Sequence, residues 1–466
     1  MSPEVDAAII AGSFGILTLI GTLAAQFYGI RKTSSGTEKT LRQQSEQLEK
    51  TLAEQRKQLD RTLAEQRGRT LNERFATAAD KLGSDKPPAV RLAGVYAMAG
   101  LADDWPENRQ TCVDVLCAYL RLPYEPDPGD GASAHERLSF GNNRQVRHTV
   151  IRVIVAHLRA GAAVSWQGLD LDFTGVVFDG GDFSGAVFSG GRVDFSRADF
   201  SGGTVDFTPA IFSGGTVDFA GAMFSGGRVD LSGAVFSGGT VDFARTMFSG
   251  GTVDFSRAMF SGGTVDFTNA RFSKGGADFI EAMFTGGTVD FSHAGFSGAT
   301  VDFTNARFSG GRVALNDAVF SGGKVDFSHA GFSGGTVDFT RAMFSGGTVD
   351  FSYANWHLGA SVKFTSAEVA QSSIDFSHAG FSGGTTGFSG AVFSGGKVDF
   401  NDALFSGGTV DFTRAKFSGG TVDFHSARFS GGTVSFQDPH DWTHPPNLGF
   451  ADAVPVGVTL PARRTA

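Results

Sequence analysis

Aspartate is the polar residue with the most regular spacing, and it stands before a phenylalanine in most twelve-residue stretches between about Leu169 and Phe436. If two such repeats make one coil, alternate aspartates form two rows. The candidate interaction row contains Asp206, Asp230, Asp254, Asp278, Asp302, Asp326 and Asp350. The other row contains Asp194, Asp218, Asp242, Asp266, Asp290 and Asp338, with Ala314 interrupting it. Carboxylates about 4.8 Å apart repel by roughly 1 kcal/mol each in water, so the rows predict a negatively charged surface that backbone N–H groups at the corners are expected to moderate.

No motif for catalysis accompanies these carboxylates. His293, His329 and His378 share a variable outward position, where solvation is the expected state. The only cysteines, Cys112 and Cys117, stand five apart on a predicted helix and therefore on different sides of it, which makes them poor disulfide partners. The sequence contains no phosphate-binding loop, zinc-ligand spacing or nucleophile motif. It therefore predicts a protein that is not an enzyme and that binds no cofactor or metal.

The aspartates are positioned by a repeat that reads Thr-Val-Asp-Phe and then Ser-Arg-Ala-Met-Phe at residues 252–260. Because side chains alternate along a strand, Val253 and Phe255 share one face, and Ala258 and Phe260 share another. Ser-Gly-Gly supplies the corner. The chain has 46 Phe and 65 Gly in 466 residues, and a flexible linker would have no reason to keep the Phe in register. A fixed short period indicates a solenoid.

This stretch resembles the pentapeptide-repeat family. Val-Asp-Phe-Ser-Arg (253–257) and Ala-Met-Phe-Ser-Gly (258–262) match the family unit, and Gly263 and Thr264 are left over. The resemblance implies a right-handed, four-sided β-helix over residues 165–436. Two repeats then form a coil of about 24 residues, because Val, Phe, Ala and Phe supply only two inward faces per repeat.

A thin solenoid with one repeat per coil is the alternative, similar to insect antifreeze proteins. The two coils predict different neighbours for Phe255. A coil of two repeats stacks it on Leu231 and Phe279, whereas a coil of one repeat stacks it on Phe243 and Phe267.

The family resemblance also implies functions for the aspartate rows. Some pentapeptide-repeat proteins resemble duplex DNA and bind DNA gyrase in its place, so a DNA-mimic inhibitor or protector of such an enzyme is one alternative. The interleaved arginines and a net charge of only −9 favour a second interpretation, in which Asp is the usual outward residue of the fold. The same charge argues against binding of nucleic acid itself.

The N-terminal segment over residues 7–30 is predicted to be a transmembrane helix. Nineteen uncharged residues, 7–25, span about 29 Å as a helix, which is close to the thickness of a bilayer core. Arg31 and Lys32 follow the segment, and the positive-inside rule then places the C-terminal region in the cytoplasm. The expected location is the cell membrane, with a single span; a buried core helix is the alternative.

Two helical regions are predicted to follow. Residues 37–71 form a coiled-coil helix, since Leu41, Leu48, Leu52, Leu59 and Leu63 recur with an eleven-residue period. This narrow stripe predicts a homo-oligomer, and a solvated single helix is the alternative.

Residues 72–162 form a small helical domain. Its segments Val-Arg-Leu-Ala-Gly-Val-Tyr-Ala and Val-Arg-His-Thr-Val-Ile-Arg-Val resemble inner helices of HEAT or armadillo repeats, which implies helix-pair packing and a binding groove. A last helix that covers the open end of the β-helix explains the same pattern.

One break interrupts the solenoid, at Trp356 and His357, where the next Phe follows after eight residues rather than seven. The insertion predicts a surface bulge, with a recognition site as the alternative. Residues 437–466 are predicted to cover the last coil. The sequence thus predicts a mainly β protein with an α N-terminal part: a membrane-anchored, non-enzymatic scaffold that presents a β-helix to an unidentified protein partner.

Overall fold

The computed structural model describes residues 37–83, 85–125, 127–450 and 453–462. The predicted transmembrane segment, 7–30, lies outside the described residues. Among the helices that are described, none has both the length and the apolar composition needed to cross a bilayer. The chain divides into two units after Glu73.

Within the described residues, four α-helices precede the solenoid. They are α1 (Thr37–Lys81), α2 (Pro88–Asp104), α3 (Arg109–Arg121) and α4 (Ala134–Leu158), with a 3₁₀ turn at Pro106–Asn108 between α2 and α3. The boundary expected between 71 and 72 is not a helix end, because good helix formers without proline continue through it. Helix α4 begins at Ala134 because Ser133 and Glu136 form a capping box there.

The rest of the chain forms a β-solenoid of about 12 turns, with roughly 24 residues per coil. All strand pairs are parallel, and each strand pairs with the strand two repeats along the chain, as in Val229 with Val253 and Val235 with Met259. Each coil contributes four strand positions in turn, which we call faces 1 to 4. Faces 1 and 3 are therefore on opposite sides, as are faces 2 and 4.

The strands fall into three hydrogen-bonded sheets, because faces 2 and 3 share one sheet. Face 1 contains Leu171–Asp172, Arg192–Asp194, Thr216–Asp218, Thr240–Asp242, Thr264–Asp266, Thr288–Asp290, Arg312–Ala314, Thr336–Asp338, Ser361–Lys363, Thr385–Gly387, Thr409–Asp411, Thr433–Ser435 and Val458–Thr459. Face 4 contains Val187–Phe188, Ile211–Phe212, Val235–Phe236, Met259–Phe260, Met283–Phe284, Arg307–Phe308, Gly331–Phe332, Asn355–Trp356, Gly380–Phe381, Leu404–Phe405 and Arg428–Phe429.

The shared sheet includes long strands that turn the corner from face 2 to face 3 without a break. These are Met247–Asp254, Arg271–Asp278, Val319–Asp326, Met343–Asp350, Val392–Asp399 and Lys416–Asp423. The short strands of face 2 are Val177–Phe178, Asp199–Phe200, Met223–Phe224, Gly295–Phe296 and Glu368–Val369. Those of face 3 are Gly181–Asp182, Thr204–Asp206, Arg228–Asp230, Thr300–Asp302 and Ser373–Asp375.

Stacked phenylalanines fill the core. The rings of Phe255 and Phe279 lie 4.7 Å apart and 5° from parallel. Phe243 and Phe267 instead meet Phe255 edge-on, with interplanar angles of 84°. The stacking partner therefore lies two repeats along the chain, which confirms the coil of two repeats and excludes the coil of one repeat.

Both ends of the solenoid are covered by other parts of the chain. At the start, Asp179 accepts hydrogen bonds from Tyr124 (2.7 Å) and from Arg144 of α4 (2.9 Å) and lies 3.0 Å from His148. Burial acts to raise the pKa of Asp179, but the bonds to His148 and Tyr124 outweigh it, and the pKa is lowered to about 2. At the other end, Trp442 packs edge-on against the last phenylalanines.

Candidate interaction surface

The aspartates of the candidate interaction row lie side by side on face 3. Strand register pairs Asp206 with Asp230, Asp230 with Asp254, and so on through Asp350 without a slip. The row continues beyond the predicted residues, since Asp182 pairs with Asp206 and Asp350 pairs with Asp375. The second row lies on the opposite side, on face 1, where Ala314 interrupts it between Asp290 and Asp338.

Most of these carboxylates already accept a hydrogen bond from a nearby backbone N–H group. One oxygen of Asp254 accepts a hydrogen bond from the backbone N–H of Ser256 at 2.8 Å, and Asp302 accepts one from Thr304 at the same distance. This bond closes the turn that follows the strand. The turn explains why Asp recurs before Phe, and wherever the bond forms it occupies one of the two oxygens of the carboxylate.

Basic residues two positions before the aspartate neutralise parts of both rows. On face 3, Arg228 lies 3.0 Å from Asp230 and 2.5 Å from Asp254. On face 1, Arg192 bridges Asp194 and Asp218 in the same way, at 2.9 and 2.7 Å. Further cations at this position are Arg312, Lys324 and Lys397. The rows are therefore interrupted every few coils rather than uniformly acidic.

Asp278 and Asp326 lie in one row, but their pKa values shift in opposite directions. Burial, followed by the charges of Asp254 and Asp302, raises the pKa of Asp278. Burial also acts to raise the pKa of Asp326, but hydrogen bonds to Lys324 and to the residue two positions on outweigh it, and that pKa is lowered. Equivalent positions in the repeat thus differ because Asp326 has hydrogen bonds from Lys324 and Ser328. Asp278 instead has neighbouring carboxylates that outweigh the charge of Arg228.

We expect Asp278→Asn to increase the free energy of unfolding at pH 7 by about 0.5 kcal/mol, because it removes repulsion between carboxylates that face each other across strands. The matched variant Asp326→Asn should decrease it by about 1 kcal/mol, because a charged hydrogen bond to Lys324 is lost. Denaturant unfolding of the full chain measures both.

The pH dependence follows from the direction of each pKa. A raised folded-state pKa means that ionisation of Asp278 costs stability at neutral pH, and protonation removes this cost as the pH falls towards that pKa. The contribution of Asp326 is present above the unfolded pKa of about 3.9 and is lost as the pH falls through its lowered folded pKa. Both variants should therefore approach the wild type in acid. Equal effects of the two substitutions at pH 7 would contradict this assignment.

The sequence did not identify one further set of outward side chains as a structural element. The second residue after most of the phenylalanines that follow faces 1 and 3 adopts a left-handed conformation, with φ of 60° at Arg257 and 58° at Glu281. Such side chains stack along the coil corners: Arg257 pairs with Glu281 at 2.9 Å, and the rings of His329 and Tyr353 stack at 5.1 Å. The available signal was opposite charge at positions two repeats apart.

The break in the solenoid separates into a buried and an exposed part. Trp356 takes a Phe position in the core, fully buried and stacked between Phe332 and Phe381. His357 and Leu358 form the bulge, and 87% of Leu358 is exposed. Any contact with a partner at this place is therefore left to the bulge, and its role in recognition stays a prediction.

Many outward side chains of faces 2 and 4 are apolar, although face 2 also has the acids Asp199 and Glu368. On face 2, Met223 and Met247 are 39% and 43% exposed, and on face 4 Ile211 and Met259 are 38% and 40% exposed. Face 2 also contains a shallow groove of about 480 Å³, which we call the face-2 groove. It is lined by Met223, Ser225, Met247, Ser249, Arg271, Ser273, Gly295, Phe296, Ser297, Val319 and Ser321.

The comparison with known families agrees with the geometry of the solenoid. A family model described as pentapeptide repeats (9 copies) matches residues 183–235. The β-solenoid fits the pentapeptide-repeat family. No curated protein matches the chain. Pentapeptide-repeat solenoids are in general non-enzymatic structural or interaction modules, so a protein-interaction module is the function that the fold suggests. Among the described residues, no group of three or more His, Cys, Asp or Glu side chains could hold a metal ion.

Proposed function

We propose that this protein is a non-enzymatic scaffold whose pentapeptide-repeat solenoid binds a partner protein along face 2. The observation that carries the proposal is the face-2 groove. Its apolar members, Met223, Met247 and Val319, stand in one row over five coils, and Gly295 leaves a gap between them. A concave apolar strip with a polar serine border is typical of protein contact surfaces.

The chemistry of the partner follows from the lining. Met side chains adapt to irregular apolar surfaces, and Arg271 adds one positive charge inside the groove. The partner should therefore present an apolar ridge with an acidic group. The aspartate rows give less support to a DNA mimic, because Arg228 and Lys324 bridge neighbouring aspartates on face 3.

Two further parts of the proposal come from the sequence alone. The apolar segment over residues 7–30 would hold the scaffold at the cell membrane with the solenoid in the cytoplasm. A chain that begins at residue 37 should then no longer sediment with the membrane fraction.

The leucine stripe of residues 37–71 would join copies of the chain. In this stripe Leu59 and Leu63 are 48% and 41% exposed. Sedimentation of a Leu59→Ser, Leu63→Ser chain measures that effect.

Capture from lysate with charged variants tests the proposed surface. Met247→Lys with Val319→Lys changes face 2, and Ile211→Lys with Met259→Lys makes the same change on face 4. All four side chains are partly or largely exposed, so folding should be retained, which circular dichroism checks. We expect the face-2 pair to capture at least tenfold less of the partner, since each substitution removes apolar contact and buries a charge. The face-4 pair should capture as much as the wild type. Equal capture by both variants would exclude face 2.

A separate experiment tests the DNA-mimic alternative. If neutral substitutions of the face-3 aspartates abolished capture of a DNA-binding enzyme, that result would favour the DNA mimic.

A further inference from the structure

The helical region contains a cavity that the proposed scaffold function does not use. It has a volume of about 470 Å³ and lies between α2, α3, α4 and the loop before α4. That volume is in the range of small-molecule sites. Its lining includes Arg91, Tyr119, Tyr124, Phe140, Asn143 and Arg147.

Arg91 is buried in this lining, and no acidic partner for it is found among the described residues. Its side chain is only 9% exposed. Its guanidinium donates to the Tyr119 hydroxyl and to the Asn143 side-chain oxygen, each at 3.0 Å, and both acceptors are neutral. The remaining nitrogen, Nε, is buried, and none of the residues that the structure describes accepts a hydrogen bond from it. A buried charge is costly unless a counter-charge and full hydrogen bonding compensate it.

A second guanidinium lies in the same lining. Arg147 is 6% exposed, and its hydrogen bonds go to the backbone oxygens of Leu120 (2.7 Å) and Val177 (2.9 Å). It also lies 4.2 Å from the ring centre of Tyr124. Neither acceptor is a carboxylate, but the charge of Asp179, to which Tyr124 donates a hydrogen bond, acts on Arg147. The uncompensated positive charge of the inner lining is therefore that of Arg91.

The remaining lining defines the rest of the ligand. Tyr124 and Phe140 stack with ring centres 6.0 Å apart and form an aromatic wall. Two acids, Glu125 and Glu136, also line the cavity, but both are exposed to solvent, and Glu136 accepts a hydrogen bond from the Ser133 backbone N–H as a helix cap. The acids therefore belong to the outer part of the lining and the guanidiniums to the inner part.

We infer that this cavity binds the oxyanion of a small organic molecule, a phosphate monoester or a carboxylate, whose apolar or aromatic body rests on Tyr124 and Phe140. The anion supplies the counter-charge that Arg91 lacks and pairs with its guanidinium where that group lines the cavity. A planar guanidinium suits both anions, because it can donate two parallel hydrogen bonds to either.

Calorimetric titration of the purified full chain tests the inference with three probes of similar size. Phenyl phosphate and benzoate carry the anion, and benzyl alcohol lacks it. We expect at least one anion to bind at least about tenfold more tightly than benzyl alcohol, with affinity falling as salt increases. Which anion binds more tightly distinguishes a phosphate from a carboxylate ligand. Benzyl alcohol binding as tightly as both anions, or no detectable binding of either anion at millimolar concentration, would overturn the inference without any variant.

Substitution of Arg91 then tests whether this arginine binds the anion. Arg91→Met should weaken the preferred anion at least about tenfold, whereas Arg152→Met, an exposed position on α4 outside this cavity, should leave it unchanged. Unchanged affinity in a folded Arg91→Met chain would also overturn the inference.

Discussion

Phe255→Ala is expected to lower the free energy of unfolding by about 3–5 kcal/mol. The ring is fully buried, and stacking on Phe279 places it in an aromatic column that runs along the solenoid. Truncation removes apolar burial, leaves a cavity and interrupts the column, and a closely packed solenoid cannot collapse at one coil without moving its neighbours.

The chain itself supplies the control for this prediction. Leu231 takes the equivalent position one coil earlier, and Leu315 takes an equivalent inward position after face 1; both are buried. Phe255→Leu should therefore cost only about 1 kcal/mol, because volume and apolar character are largely kept. Denaturant unfolding of both variants, with hydrogen exchange of the flanking coils, measures the difference. A loss as large for leucine as for alanine would mean that ring stacking, not burial, holds the coils together.

Gly263→Ala is expected to lower the free energy of unfolding by about 3 kcal/mol, the sum of a backbone cost and a packing cost. Gly263 has a φ of +73°, in the region that L residues adopt only at a cost of roughly 1–2 kcal/mol. A Cβ there would also lie 2.5 Å from the carbonyl oxygen of Gly239 in the preceding coil. Because that oxygen belongs to the backbone, the two coils would have to separate, and such overpacking adds about 1–3 kcal/mol.

Gly295→Ala is the matched control for the glycine prediction. Gly295 lies in a face-2 strand, its φ is not positive, and a Cβ there would have no atom within 4 Å. We expect a change of less than about 0.5 kcal/mol. Denaturant unfolding compares the two variants. If both alanines are tolerated equally, close approach between coils is not what selects glycine at the Ser-Gly-Gly corner.

The core of the solenoid could be predicted from sequence because one interaction dominates it. Phe255 needs a buried neighbour of similar size, and the inward count of Val, Phe, Ala and Phe allows four faces only with two repeats per coil. The corners could not be predicted in the same way. Ser-Gly-Gly at 249–251 lies within a continuous strand, whereas the identical residues at 261–263 form a tight turn. The two stretches lie at different corners of the coil, between faces 2 and 3 and between faces 4 and 1. The identical residues do not show which corner they occupy.

The candidate surfaces were predictable to different degrees. The register of the aspartate row follows from the period alone. The cations that interrupt it, such as Arg228, could be read as bridges only once the coil length was known, because each links aspartates of successive coils. The helical cavity left a weaker signal: Arg91 and Arg147 each stand in an otherwise apolar helical segment, but that they line one cavity depends on how the helices pack.

Photocrosslinking from two glycine positions tests the central claim, that face 2 is the surface that binds a partner. Gly295 on face 2 and Gly331 on face 4 are both strand positions where an added Cβ has no atom within 4 Å. We would introduce benzoylphenylalanine at each position in the full chain, irradiate cells and compare the adducts. The account predicts a discrete protein adduct from position 295 and none from position 331. A partner adduct from position 331 alone, or none from position 295 in cells where the wild-type chain captures its partner, would contradict it.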